Sequence, residues 1–195
     1  MLTVVVPTVP GRGSLLSRCL HSITSQGDVL VLVVDGDGRL GDKVTAAAQV
    51  VSTAYMTVVD DDDYLAEGYL SAVLPELGEV DYVGFRFLEL NEGRFDNIST
   101  SSAEFNLWGR RRRGPVPKGV TRTEIFRAAG FGNKYHADRQ WMAATGLLIH
   151  SWAFVDRVLY IHDWWPSLST FGDVAEPRDV GEWPHGQVDR LTVNT

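Results

Sequence analysis

Four consecutive aspartates, Asp60 to Asp63, follow a short apolar run in the segment TVVDDDDYL. Like charges crowded at a strand end repel one another, and a dry site would raise their pKa values unless a cation compensates. Hard carboxylate oxygens in this number suit Mg²⁺ or Mn²⁺ far better than zinc or copper. The alternative is an exposed acidic turn that caps the next segment, LAEGYLSAVLPEL, as a helix, since aspartate is a good N-cap. The aspartates therefore indicate either a divalent-metal site or a helix cap.

The segments that must position the aspartates alternate between strand and helix. LTVVV, VLVLVV and MTVV are apolar, mostly β-branched runs, typical of strands buried on both faces. Between them, SLLSRCLHSITSQGD is a predicted helix with Ser14 as its N-cap, and DKVTAAAQVVSTA is a second. A βαβαβ order with right-handed crossovers builds a parallel sheet that binds ligands at the carboxyl ends of its strands. Pro7, Asp35 and Asp60 fall at that edge.

The second half of the sequence is less regular. YVGFRFLEL is typical of a half-exposed strand, with Val83, Phe85 and Phe87 on one face, and NEGRF resembles a hairpin turn. TRTEIFRAAG has a capping box at Thr121 and Glu124 that predicts a helix. DRQWMAATGLLI is a further predicted helix, and RVLYI is the last predicted strand. We see no internal repeat, and we expect a single α/β domain.

Composition narrows the class of protein. A chain of 195 residues with 44% apolar residues can bury one core, and its longest apolar runs fall well short of the ~18 residues that a spanning helix needs. MLTVVVPTVP is typical of a first strand and lacks the features of a signal peptide, so we expect a cytoplasmic protein. Cys19 is the only cysteine, which excludes an internal disulfide, and its spacing favours a buried helix face. The net charge of −7 argues against binding nucleic acid through overall charge.

Two known signatures fit the segment DGDGRLG. Gly36, Gly38 and Gly41 have the spacing of a dinucleotide-binding fingerprint, but the carboxylates of Asp35 and Asp37 would repel a pyrophosphate there. The run VLVVDGDGRL is also similar to the signature of haloacid dehalogenase-like phosphatases, in which the first aspartate, here Asp35, attacks phosphate. Those enzymes usually place this strand first, whereas a full strand and helix precede it here.

A third pattern accounts for the whole layout. VVVPTVPGRGSLLSRCLHSITSQ, VLVVDGDG and VVDDDDYL together resemble the family 2 glycosyltransferases of the GT-A fold, over roughly residues 2 to 75 and more loosely to about residue 172. The resemblance implies a mostly parallel sheet flanked by helices in a domain over 1–172. Its nucleotide-sugar half would be 1–80 and its acceptor-side half 81–172. A C-terminal strap would follow over 173–195.

The resemblance also implies a donor site. Pro7 and Thr8 would lie against the nucleoside, Asp35 would contact the base, and Asp60 with Asp62 would form an Asp-x-Asp pair that holds Mn²⁺ or Mg²⁺ on the donor diphosphate. Asp62 is the expected direct metal ligand, and the neighbouring aspartates leave the register open by one residue. The full set of expected donor-binding residues is Pro7, Thr8, Arg12, Asp35, Asp37, Asp60 and Asp61, and the expected metal ligands are Asp60, Asp62 and His162.

The resemblance extends to an acceptor side. Asp138 matches an acid that opens a helix in the family, which implies a general base, although Ala137 stands where the family usually has Glu. His136, Trp108, Arg111 and Arg112 are the expected acceptor contacts. The loop GRRRRGPVPKG, with Arg110–Arg113 and Lys118, is either a solvated basic loop or a clamp on an anion such as a diphosphate, a lipid phosphate or a nucleic acid. A compact transferase of this kind would also suit a phage enzyme that glycosylates modified DNA bases.

The resulting expectation is a metal-dependent, inverting glycosyltransferase of the hexosyltransferase type that uses a nucleotide-sugar donor, with a UDP-sugar favoured. Its acceptor hydroxyl would belong to a modified DNA base, a glycan or a lipid. Two alternatives stay open. One is a phosphatase with Asp35 as nucleophile, and the other is a sugar- or nucleic-acid-binding module that kept the fold without the chemistry.

Overall fold

The computed structural model describes residues 1–101, 114–132 and 137–164, and the backbone of 189–191. The predicted acceptor contacts Trp108, Arg111, Arg112 and His136 lie outside these residues, as does the rest of the Arg110–Arg113 loop. Most of the predicted strap over 173–195 lies outside them as well. No helix within the described ranges is long and apolar enough to cross a membrane.

Strands and helices alternate over the first 60 residues, and their order is less regular in the rest of the described chain. The strands are β1 Leu2–Pro7, β2 Leu30–Val34, β3 Tyr55–Val58, β4 Tyr64–Leu65, β5 Tyr82–Asn91, β6 Arg94–Thr100, β7 Val120–Arg122, β8 Trp152–Trp164 and β9 Asp189–Leu191. The helices are α1 Gly13–Thr24, α2 Leu40–Val50, α3 Tyr69–Val73, α4 Thr123–Ala129 and α5 Ala137–Thr145, and a 3₁₀ turn over Leu74–Glu76 continues α3. The predicted βαβαβ order over the first 60 residues is confirmed.

All described strands belong to one sheet. Its order is β4-β8-β5-β7-β3-β1-β2-β9, with β6 paired to β5. Strand β1 lies between β2 and β3. It is parallel to both, and this orientation is the one that the sequence predicts. The sheet as a whole is mixed, because β7 enters between β3 and β5 and is antiparallel to both. Beyond it, β5 and β8 form a second parallel pair. The parallel part that carries the aspartates therefore consists of β1, β2 and β3.

The sheet separates two hydrophobic clusters. Successive side chains of a strand point to opposite faces, so Val4 of β1 packs with Ile23 of α1, while Val5 packs with Val44 of α2. The first cluster also takes in α3, and the second takes in α4 and α5, with Trp141 fully buried. Cys19 is buried in the first cluster, as its spacing predicts. Helices on both faces leave the strand ends as the place where side chains can meet a ligand.

Two local predictions about helix starts are wrong, and the helix-cap alternative for the four aspartates is excluded. Helix α1 begins at Gly13 with Arg12 in the N-cap position, so Ser14 lies inside the helix. Thr121 belongs to β7, because its backbone pairs with β3 and β5, and α4 begins only at Thr123. The four aspartates do not cap a helix either: the chain enters β4 directly after them, and α3 starts after Gly68, whose φ of +79° suits glycine.

Candidate active site

The four aspartates alternate between two environments in the loop that joins β3 to β4. The side chains of Asp61 and Asp63 are 3% and 1% exposed, whereas those of Asp60 and Asp62 are 30% and 23% exposed. The carboxylates of Asp61 and Asp63 are therefore anchored inside the protein. Those of Asp60 and Asp62 remain accessible at the carboxyl edge of the sheet. The sequence alone left this register open.

Asp61 ties the end of β3 to the loop that follows β1. Its Oδ2 accepts a hydrogen bond of 2.6 Å from the Thr8 hydroxyl, and its Oδ1 lies 2.7 Å from Nη1 of Arg12. The same Arg12 atom is 3.5 Å from Oδ2 of Asp62. Thr8 itself is held to β2, because its backbone N–H donates to the carbonyl of Val34. Arg12 thus neutralises part of the acidic loop from within the protein.

Asp63 is an internal anchor with three donors. Its Oδ2 accepts hydrogen bonds of 2.5 Å from both Nζ of Lys118 and the Tyr160 hydroxyl, and its Oδ1 accepts one of 3.1 Å from the backbone N–H of Asp163. These partners come from the segment before β7 and from β8. The contacts hold the acidic loop against the far half of the sheet.

The two accessible carboxylates differ in their electrostatics. Burial disfavours a charge on Asp60, but Nζ of Lys118 lies 2.8 Å from its Oδ2, and the net effect holds the Asp60 pKa below its usual value. Burial and the neighbouring charges of Asp60 and Asp63 raise the pKa of Asp62 to about 7. Asp62 is therefore the carboxylate of this loop whose charge is least compensated by the protein's own cations.

The loop after β2 supplies the neighbouring acids. Asp35 and Asp37 are both exposed, and Oδ1 of Asp35 accepts a hydrogen bond of 2.6 Å from the backbone N–H of Gly36. Lys43 of α2 is 2% exposed, and its Nζ donates to the carbonyl oxygens of Thr8 and Gly36 at 2.5 and 2.6 Å. This buried ammonium joins the loops after β1 and β2, so the predicted base-reading and nucleoside-facing segments are fixed relative to each other.

Carboxylate oxygens of Asp60, Asp62 and Asp63 lie within 4.8 Å of one another. Such a set of hard oxygen donors fits Mg²⁺ or Mn²⁺. Asp63 already has hydrogen-bond donors on both oxygens, so the set fits an ion best through the accessible Asp60 and Asp62. His162, the third predicted ligand, is half-buried in β8, and the charge of Lys118 and burial lower its pKa.

The remaining predicted residues occupy different settings. Pro7 and Thr8 are buried at the end of β1, so their contact with a nucleoside stays a prediction. Asp138 is exposed in the first turn of α5, and its role as a base likewise stays a prediction. Trp164 is 48% exposed at the end of β8.

Sequence reasoning missed the cations that make the acidic loop tolerable. The sequence places Lys118 in a basic loop and Lys43 in a predicted helix, and it links neither lysine to the aspartates. Arg18 of α1 donates to the backbone carbonyl of Asp62, and its Nη1 lies 3.8 Å from Oδ2 of Asp163. The available signal was charge balance: a loop of four aspartates next to a buried strand requires basic partners within the fold.

The likeness of this chain to known proteins lies in its three-dimensional structure. No protein-family model and no curated protein matches the chain. The crystal structure of S. aureus TarS 1–349 superposes with a TM-score of 0.66 at 16% identity, covering 83% of this chain and 60% of TarS 1–349. This chain shares the fold of TarS. At this identity the likeness establishes the fold alone, and that fold fits the GT-A architecture that the sequence resemblance predicts.

Two further TarS structures contain ligands. TarS 1–349 in complex with UDP matches with a TM-score of 0.64, and the complex with UDP-GlcNAc matches with 0.65, both at 16% identity. They cover 85% and 84% of this chain and 61% and 58% of the TarS chains. The present chain thus spans about three fifths of the length of TarS 1–349.

Proposed function

We propose that this protein is a glycosyltransferase that takes its sugar from a nucleotide diphosphate donor bound at the carboxyl ends of β1, β2 and β3. The observation that carries the proposal is the sorting of the four aspartates, which leaves Asp60 and Asp62 accessible and anchors Asp61 and Asp63. Alternation of this kind produces an Asp-x-Asp pair at the ligand-binding edge of an α/β sheet. The shared fold with TarS structures that hold UDP or UDP-GlcNAc supports the same reading.

The donor would lie across the loops after β1 and β2. Asp35 is exposed at the end of β2, where it can face a base. The buried Lys43 ammonium fixes the spacing of the two loops by donating to a carbonyl oxygen in each. The guanidinium of Arg12 lies between Asp61 and Asp62, where it can also meet the oxygens of a diphosphate. A UDP-sugar is the favoured donor, because two of the TarS structures hold UDP or UDP-GlcNAc.

Asp60 and Asp62 would hold a divalent ion, Mn²⁺ or Mg²⁺, which would neutralise charge on the leaving diphosphate and orient it. Asp61 and Asp63 do not need to ligate for this to work. Their hydrogen bonds fix the loop backbone, so that the two accessible carboxylates are positioned before the donor arrives.

Transfer with inversion needs a base at the acceptor hydroxyl. Asp138 is the proposed base, since it is an exposed carboxylate in the first turn of α5 and has the position that the family resemblance implies. The acceptor would belong to a glycan, a lipid or a modified nucleic acid, and Arg110–Arg113 are the proposed contacts for an anionic one.

Calorimetric titration of UDP in the presence of Mn²⁺, together with turnover of UDP-GlcNAc followed as release of UDP, tests this function. We expect Asp62→Asn to lose the metal-dependent part of UDP binding, and Asp138→Asn to keep that binding while losing turnover. The matched control is Asp96→Asn, which changes an exposed aspartate of β6 and should behave as wild type. Wild-type UDP affinity in Asp62→Asn would contradict the proposed donor site. Wild-type turnover in Asp138→Asn would contradict the proposed role of Asp138 as the base.

A further inference from the structure

The ammonium of Lys118 lies against carboxylates of the proposed metal site. Its Nζ lies 2.8 Å from Oδ2 of Asp60 and 2.5 Å from Oδ2 of Asp63, so one ammonium pairs with two carboxylates of the acidic loop. The ammonium is also 4.9 Å from the centre of the Tyr160 ring. A single positive charge is thus held by two carboxylates and an aromatic face.

The backbone that carries Lys118 is fixed independently of its ammonium. The Lys118 carbonyl accepts a hydrogen bond of 3.0 Å from the Thr57 hydroxyl, and the carbonyl of Pro117 accepts one from the backbone of Val58. A side chain at the next position, Gly119, would overlap the Tyr82 hydroxyl. The lysine side chain can therefore change its conformation while its anchoring loop stays in place.

An ion that used Oδ2 of Asp60 would meet this ammonium at close range. Two positive charges at that separation repel strongly, even with substantial screening. Oδ2 of Asp63 already accepts hydrogen bonds from Lys118 and Tyr160, and its Oδ1 accepts one from the backbone of Asp163, so Asp63 is less available to an ion than Asp60. Loading of the proposed metal site therefore depends on where the Lys118 ammonium lies.

We propose that Lys118 is a tethered counter-cation that competes with the divalent ion for Asp60. Without the ion, its ammonium neutralises Asp60 and Asp63 and keeps the acidic loop folded. When an ion binds Asp60 and Asp62, the ammonium gives up Asp60 and keeps Asp63. The inference rests on the proposed function only in taking this loop as a metal site, and it makes Lys118 a residue that sets metal affinity.

Binding of Mn²⁺ alone, measured from the electron paramagnetic resonance signal of the free ion, tests the competition without any nucleotide. We expect Lys118→Met to bind Mn²⁺ at least about tenfold more tightly than wild type, because the competing charge is gone. The gain should disappear in Lys118→Met combined with Asp60→Asn. In thermal unfolding with a chelator, Lys118→Met should melt at a lower temperature than wild type, and Mn²⁺ should restore its midpoint.

Arg122→Met is a matched control. Arg122 is also a partly buried cation, with Nε 3.0 Å from Oδ1 of Asp81 and its guanidinium 5.2 Å from the Tyr55 ring, and it does not contact the acidic loop. Its loss should leave Mn²⁺ affinity unchanged. If Lys118→Met does not fold, Lys118→Gln takes its place, because glutamine removes the charge and keeps a donor for Asp60.

The competition is refuted if the charge-free variant binds Mn²⁺ no more tightly than wild type, or if neither protein binds it. Titration of UDP into the same samples, with and without Mn²⁺, reports on the proposed function separately. UDP binding without any Mn²⁺ binding would overturn the role of Lys118 and leave a nucleotide site. Tighter Mn²⁺ binding in Lys118→Met without UDP binding would support the competition and contradict the transferase.

Discussion

At the level of single residues, the four aspartates of the acidic loop differ in accessibility and in how well their charges are compensated, because their neighbours differ. Asp61 and Asp63 each accept hydrogen bonds from groups that lie far away in the sequence, and both side chains are nearly inaccessible to solvent. Asp60 shares one lysine with Asp63, and Asp62 is left in a setting that favours its protonated form. The accessible pair is therefore available for the proposed metal, and the buried pair stabilises the loop.

This division predicts opposite stability effects for two adjacent substitutions. Asp63→Asn should lower the free energy of unfolding by about 3 kcal/mol, because it breaks a buried charged network and leaves Lys118 with one partner. Asp62→Asn should leave stability unchanged or raise it at pH 8 in chelator. The Asp62 pKa of about 7 lies above its unfolded value, so the stability linked to its protonated form is lost as pH rises through 7.

Urea unfolding of both variants at pH 8 in chelator checks this prediction, with Asp96→Asn as the control for removing an exposed charge. If Asp62→Asn destabilises the protein as much as Asp63→Asn does, the accessible and buried aspartates are not distinct in the way described.

Among the secondary-structure elements, the candidate site depends on the loops that follow the parallel strands β1, β2 and β3. Side chains hydrogen-bond these loops to one another. Lys43 bridges the loops after β1 and β2, and Thr8 with Asp61 bridges those after β1 and β3. The sequence predicted these strands and their order, because valine-rich runs separated by amphipathic helices are strong local signals. It could not predict β7 between β3 and β5, since a three-residue strand has almost no local pattern and is fixed by its pairing.

Asp81, just before β5, joins three elements in the second half and makes a pH prediction. Its carboxylate accepts hydrogen bonds from the backbone N–H groups of His150 and Ser151 and pairs with Arg122. Burial works against its charge, but these donors prevail and lower the Asp81 pKa. Stability from this group is therefore present above the unfolded pKa of about 3.9 and is lost as pH falls through the lower folded value.

Asp81→Asn should cost roughly 1–2 kcal/mol at pH 7 and flatten the loss of stability on acidification. Urea unfolding between pH 7 and pH 2 measures both quantities, and Asp96→Asn again serves as the control. An unchanged acid slope in Asp81→Asn would mean that Asp81 does not link β5 to its neighbours through its charge.

At the scale of the whole molecule, the resemblance in the first 75 residues anticipated the fold well, and the TarS structures share it at 16% identity. The acidic loop and its place at the sheet edge followed from local sequence. The partners of that loop did not, because Lys118, Tyr160 and Asp163 are between 55 and 100 residues distant from Asp63 and carry no motif. Long-range charge pairing is what the sequence pattern could not supply.

The proposed function requires that the loops after β1, β2 and β3 hold a nucleotide diphosphate together with a divalent ion. Thermal unfolding against UDP, GDP, ADP and CDP, each with Mn²⁺ and with a chelator, tests it most directly. We predict a rise in the unfolding midpoint with UDP that requires Mn²⁺, equivalent to about 2.7 kcal/mol at a hundredfold excess over the dissociation constant. No rise with any of the four nucleotides, in the presence of Mn²⁺, would contradict the account.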